Sequence, residues 1–141
     1  MLFADSSALA RIYLEDERES DELAALLLES DAVTLASELV HVELARALKN
    51  AERGERISSA EAILGGVDAD LARSVSLIDL EPATVLPSAR ELVLRHRLGT
   101  LDAIHLAVAL DEARRADEPI TFVTRDADQA AAARALGFEL A

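Results

Sequence analysis

Short apolar runs alternate with longer helical stretches along this chain of 141 residues, and the alternation narrows the fold sharply. "LFA", "AVTLAS", "SVSLIDL", "PITFVT" and "FEL" each suit a short buried strand. "PITFVT" is the clearest of them, because it is rich in β-branched residues and bounded by Pro119 and "RDAD". The segments between carry apolar residues three and four apart, the spacing of one helix face. Strands that alternate with helices fold as a parallel sheet with helices packed on it, so the fold class is α/β, with a central parallel sheet flanked by helices.

Capping residues place the helices. One begins at Ser20, with Asp21 and Glu22 in its first turn and Leu23, Leu26 and Leu27 inward. "SELVHVELARALKNAERG" is a long amphipathic helix with Ser37 as N-cap and Gly54 as its stop. Residues 58–73 are helical despite Gly65 and Gly66. Pro82 and Pro87 mark the entry to a helix ending near Leu98 and Gly99, and Thr100 caps the next, which runs to about Ala116. "DADQAAAARALG" is a short helix, and the acid-rich residues 15–22 form a solvated turn. No repeat or linker divides the chain, so residues 1–141 are expected to form one domain.

Composition excludes several functions. With no cysteine there is no disulfide, thiolate metal site or thiol nucleophile. Charges interrupt every apolar stretch well before the roughly 18 residues a membrane span needs. "MLFADSSALA" has an acid at position 5 and no basic leader, unlike a signal peptide, so a cytoplasmic protein is expected. The net charge is −13, Lys49 is the sole lysine, and the aromatics are Phe3, Tyr13, Phe122 and Phe138. That leaves no basic patch and no base-stacking platform. A nucleic-acid role would have to work through bound cations, a partner, or a few arginines.

Four acids depart from the pattern. Asp5 follows the first strand and Asp126 follows "FVTR", which puts both at the carboxyl ends of strands, where open parallel sheets bind ligands. Glu43, with Leu39, Val40 and Ala47 around it at helical spacing, and Asp102, between Leu98 and Leu106, lie on apolar stripes. A carboxylate facing a core is costly unless paired or bound to a metal. Four such groups on one rim would repel one another, and a hard divalent cation with oxygen ligands would resolve the repulsion. Plainer roles stand beside this one. Asp5 could cap the first helix, Asp126 with Gln129 could form a capping box, and Asp102 could answer a helix dipole. Glu43 could pair with Arg46 or Arg90. His105, on an apolar face, has the character of a hydrogen-bonded core histidine; His41, His96 and Asp128 look like surface positions.

"FADSSALARIYLEDE", "LASELVHVELARAL", "LGTLDAIHLAVAL" and "FVTRDADQAAAARALGFEL" resemble the four signature segments of PIN-domain ribonucleases, above all the VapC-type toxins of prokaryotic toxin–antitoxin pairs. The resemblance spans Leu2 to Leu140. It implies a single PIN-like domain in which Asp5, Glu43, Asp102 and Asp126 are the catalytic acids holding Mg²⁺ or Mn²⁺. Ser6 and Thr124 match the supporting hydroxyl residues, and His105 matches a structural or supporting histidine; Asp128 shares the loop of the last acid. The activity implied is metal-assisted hydrolysis of RNA phosphodiesters, with Arg11, Arg46 and Arg53 as candidates for gripping RNA. A homodimer and a cognate antitoxin partner are implied as well. Net charge −13 suits a basic partner better than free DNA, so direct DNA binding is not expected without the antitoxin.

Rival readings make different demands. A phosphotransfer or dehalogenase-type site needs a lysine by the acids, and Lys49 is poorly placed for that. A catalytically silent PIN-like protein-binding module would have no use for four mutually repelling acids. A DNA-directed nuclease with the same acidic site differs only in its substrate.

Overall fold

The computed structural model describes residues 1–14 and 19–141. Its elements are β1 (Leu2–Ala4), α1 (Ser6–Ile12), α2 (Ser20–Ala24, continued by a wider π turn over Ala25–Glu29), β2 (Thr34–Ser37), α3 (Val40–Arg53) and α4 (Ala60–Ser74). After these come β3 (Val75–Ile78), α5 (Pro82–Arg95), α6 (Thr100–Arg115), β4 (Thr121–Val123), α7 (Ala127–Ala135) and β5 (Glu139–Leu140). Among the described residues the sheet has five strands in the order β3-β2-β1-β4-β5. Each pairing is parallel.

Alternate side chains sort the core into two layers. Leu2 and Ala4 of β1, Ala36 of β2, Val75 of β3 and Val123 of β4 pack with Leu9, Leu23, Leu44 and Leu71 on one face. Phe3, Leu35 and Phe122 meet Val85, Leu92, Leu106 and Ala132 on the other. The Phe3 and Phe122 rings stack 5.7 Å apart across the β1–β4 register, and Phe138 tilts against Phe122 at the same separation. Both faces of the central strands β1 and β2 are therefore buried, as expected of a parallel sheet.

β1 lies at the centre, with β2 on one side and β4 on the other, so the chain changes direction at the β1–β4 seam. Ligand crevices form beyond such a seam at the carboxyl ends of the strands. Asp5 N–H donates to the Val123 carbonyl (2.9 Å), which extends the seam one residue past β1.

Several boundaries differ from the sequence reading. Ser37 ends β2 rather than capping α3; its Oγ accepts from Leu39 N–H (3.3 Å) and shapes the turn before Val40. Gly99, not Thr100, is the N-cap of α6. α5 ends at Arg95, and Pro87 lies inside it rather than before it. Pro87 is the sixth residue of α5, in its second turn, so its missing N–H removes the intrahelical bond to the Ala83 carbonyl. Gly65 and Gly66 do not interrupt α4. The expected turn at 15–22 falls partly on residues 15–18, outside those described. No helix among the described residues is long and apolar enough to cross a membrane.

Phe122 is fully buried between two rings and within one of the two apolar layers. Phe122→Ala should lower unfolding stability by about 3–5 kcal/mol. Urea denaturation would report this as a lower midpoint at unchanged slope.

Candidate active site

Each of the four acids stands at the start of a helix. Asp5 is the N-cap of α1: its Oδ2 accepts from Ser7 N–H (3.0 Å), and the residue is buried. Asp126 is the N-cap of α7 and accepts from Gln129 N–H at 2.7 Å. Asp102 and Glu43 occupy the first turns of α6 and α3. The capping roles foreseen for Asp5 and Asp126 are real, and each leaves carboxylate lone pairs over. Capping and ligation therefore do not compete at these residues.

The electrostatics tie the acids together. Burial pushes the Asp102 carboxyl above its ordinary value, and the charges of Asp5, Asp126 and Glu43 push it further. The Gly99 N–H, donating to the same carboxylate, works the other way. Gly99 is needed for that approach: a Cβ there would stand 2.6 Å from Asp102 Oδ2. Among the described residues, no three acids or histidines are already gathered into a set that could hold a metal ion as it stands. The acids share an electrostatic field without forming a closed cage.

Glu43 is paired with His105 rather than with Arg46 or Arg90. His105 Nε2 and Glu43 Oε2 are in direct hydrogen-bond contact. The imidazole is fully buried, and its Nδ1 has no partner among the described residues. Burial alone would lower the His105 pKa; the bond to Glu43 and the charges of Asp5, Glu43 and Asp102 outweigh it and raise the value. His105 is thus both a core histidine and the hydrogen-bond partner of Glu43.

Beneath the acids lies a hydrogen-bond network that centres on Thr124 and Gln129. Thr124 Oγ1 is 2.6 Å from Gln129 Oε1, accepts from Asp126 N–H (3.1 Å) and lies 3.1 Å from Ser7 Oγ. Its one proton goes to the Gln129 oxygen, so Ser7 must donate to Thr124. Ser7 Oγ accepts in turn from Arg125 N–H (2.9 Å). Gln129 Nε2 donates to Asp5 Oδ1 (3.1 Å) and to the Asp102 carbonyl (3.2 Å). Sequence reasoning named Thr124, which lies within this network, as a supporting hydroxyl and treated Gln129 only as the far end of a capping box. It selected Ser6, whereas the hydroxyl inside the network belongs to Ser7.

Ser6 instead lines a shallow depression of about 240 Å³ with Glu43, Arg46 and Asn50. Asp128 is exposed and lies 3.6 Å from Arg97 in an ion pair, apart from the network. A larger hollow, about 680 Å³, opens between Tyr13 and the α3–α4 turn. Its Glu52 is already engaged by Lys49 and by Ala60 N–H, and none of the four acids lines it.

A raised folded-state pKa makes ionised Asp102 a cost to the fold. The cost is full above that raised value and vanishes as pH falls towards the ordinary value of about 3.9. Asp102→Asn should therefore raise the melting temperature near pH 7.5 by about 2–5 °C when no divalent cation is present. The gain should fade near pH 4 and shrink or reverse with added Mg²⁺. Differential scanning calorimetry would check it; a gain that ignores both pH and Mg²⁺ would remove the repulsion argument.

Comparison with known proteins agrees with this architecture. The model of the PIN domain family matches residues 2–135. Among solved structures, the chain is similar to the Mycobacterium tuberculosis toxin VapC20, described as cleaving the sarcin–ricin loop. The TM-score is 0.68 and the identity 19%, over 98% of this chain and 96% of that one. At that identity the likeness is one of fold. No curated relative matches the sequence. The family match runs through β1, α3, α6 and β4, the elements that carry or adjoin the four acids, and the chain belongs to the PIN domain family.

Proposed function

We propose that this protein is a metal-dependent endoribonuclease and the toxin of a toxin–antitoxin pair, acting in the cytoplasm. The observation that carries the reading is that Gln129 bonds Asp5, the Asp102 backbone and Asp126 together at one rim, with Glu43 held by His105. Burial first, and the charges of Asp5, Asp126 and Glu43 after it, raise the Asp102 pKa there. Membership of the PIN domain family supports it.

The donors are anionic oxygens, which fits a hard divalent cation such as Mg²⁺ or Mn²⁺. When bound, such a cation supplies activation of water and neutralisation of charge at the phosphate. Asp5, Glu43, Asp102 and Asp126 would hold it. His105 keeps the Glu43 carboxylate turned by its Nε2 bond. Thr124 fixes the loop before Asp126 by accepting that residue's N–H. Ser6, on the lip of the depression, would hydrogen-bond a phosphate oxygen or water. The exposed Arg46 beside it would meet the phosphate backbone that the acids alone would repel.

The antitoxin is the second partner. A surface of net charge −13 favours a basic chain, which would carry any contact with DNA. Homodimerisation is part of the same reading, supported by Leu86, Val93 and Leu94 exposed along α5 and by Leu101 at the start of α6. Light scattering should then give about twice the mass of one chain.

Cleavage of a mixed RNA pool with Mg²⁺ or Mn²⁺, and then with EDTA, tests the activity. Cutting should depend on the metal and fall about 100-fold or more in Asp102→Asn purified alongside. Equal cutting by both proteins would mark a contaminant. Cutting of DNA in place of RNA would move the substrate class, and no cutting at all would favour a catalytically silent binding module.

A further inference from the structure

We propose that Gln129 is a positioning residue that sets the spacing of Asp5 and Asp102 and thereby the affinity of the site for its cation; the proposal rests on the acids being that site. Gln129 is fully buried on α7, yet both polar atoms of its amide are engaged: Oε1 takes the Thr124 hydroxyl, and the two Nε2 hydrogens go to Asp5 Oδ1 and the Asp102 carbonyl. Both receiving atoms are acceptors only, so the amide cannot flip. It spans two segments 97 residues apart in the chain, the end of β1 and the first turn of α6. Its backbone N–H also holds the carboxylate of Asp126. One residue on one helix therefore touches three of the four acid-bearing residues, two through its side chain and one through its backbone N–H.

The arrangement has a direct consequence for charge. Asp5 and Asp102 repel, and while Phe3 of β1 and Leu106 of α6 share the apolar layer below, α6 takes no part in the pairing of the described strands. The amide supplies a tie by donating to the Asp5 carboxylate while gripping the α6 backbone. It neither adds charge nor takes a ligand position, as expected of a group that acts through the acids rather than on substrate.

Gln129→Met removes the donors and keeps the length; Gln129→Asn keeps an amide too short to reach both acceptors. Two variants are used because Met leaves the Asp102 carbonyl without its partner, whereas Asn leaves room for water. Mn²⁺ binding to the protein without RNA, by isothermal titration calorimetry, is the primary readout. Both variants should bind Mn²⁺ about 10–100-fold more weakly than the parent. Their RNA cleavage should recover towards the parent rate at saturating Mg²⁺, a shift in metal dependence that mere loss of stability would not produce. Parent-like Mn²⁺ affinity in either folded variant would overturn the role of Gln129 and leave the acid site standing. Failure of the parent itself to bind Mn²⁺ would overturn the acid site and this inference with it.

Discussion

Like charges crowded at the carboxyl edge of β1 and β4 are the constraint around which the rest of the molecule is arranged. Asp5, Glu43, Asp102 and Asp126 each sit at a helix start, where unpaired backbone N–H groups and the positive end of the helix dipole favour an anion. The helices α1, α3, α6 and α7 are thus oriented so that their starts share one rim. The two apolar layers lie beneath, and the network of Thr124, Ser7 and Gln129 fills the space between charge and core. Buried polar groups survive there because nearly all of them are paired.

Much of this was legible in the residues. The strands and helices follow from short apolar runs and 3.6-residue spacing, and "LFAD" and "FVTRDAD" place two acids at strand ends without further knowledge. Glu43 and Asp102 stood out because each is a charge on an otherwise apolar stripe. The VapC-type likeness found in four motifs agrees with the PIN domain match over residues 2–135.

What escaped was whatever depends on three-dimensional partners. Glu43 looked unsatisfied because its partner is 62 positions away, a histidine whose apolar neighbours marked it as core. Gln129 lies in a run of alanines and has a good local excuse as a capping residue, so nothing local signals a side chain turned inward to Asp5. Ser6 and Ser7 are indistinguishable by type, and only the turn of α1 decides which hydroxyl meets Thr124. Gly99 is a helix stop by sequence habit. In the fold it makes room for a carboxylate.

The central strand is three residues long, and its single inward phenylalanine is matched across the seam by another. Side chains along a strand alternate faces, so a slip of one residue would expel Phe3 from its layer and drag Asp5 into apolar surroundings. The aromatic pair therefore serves as a ruler for the acids above it. Accuracy at the rim is inherited from the core, and a molecule that has found its register has already brought Asp5 to the seam it shares with the Asp126 loop.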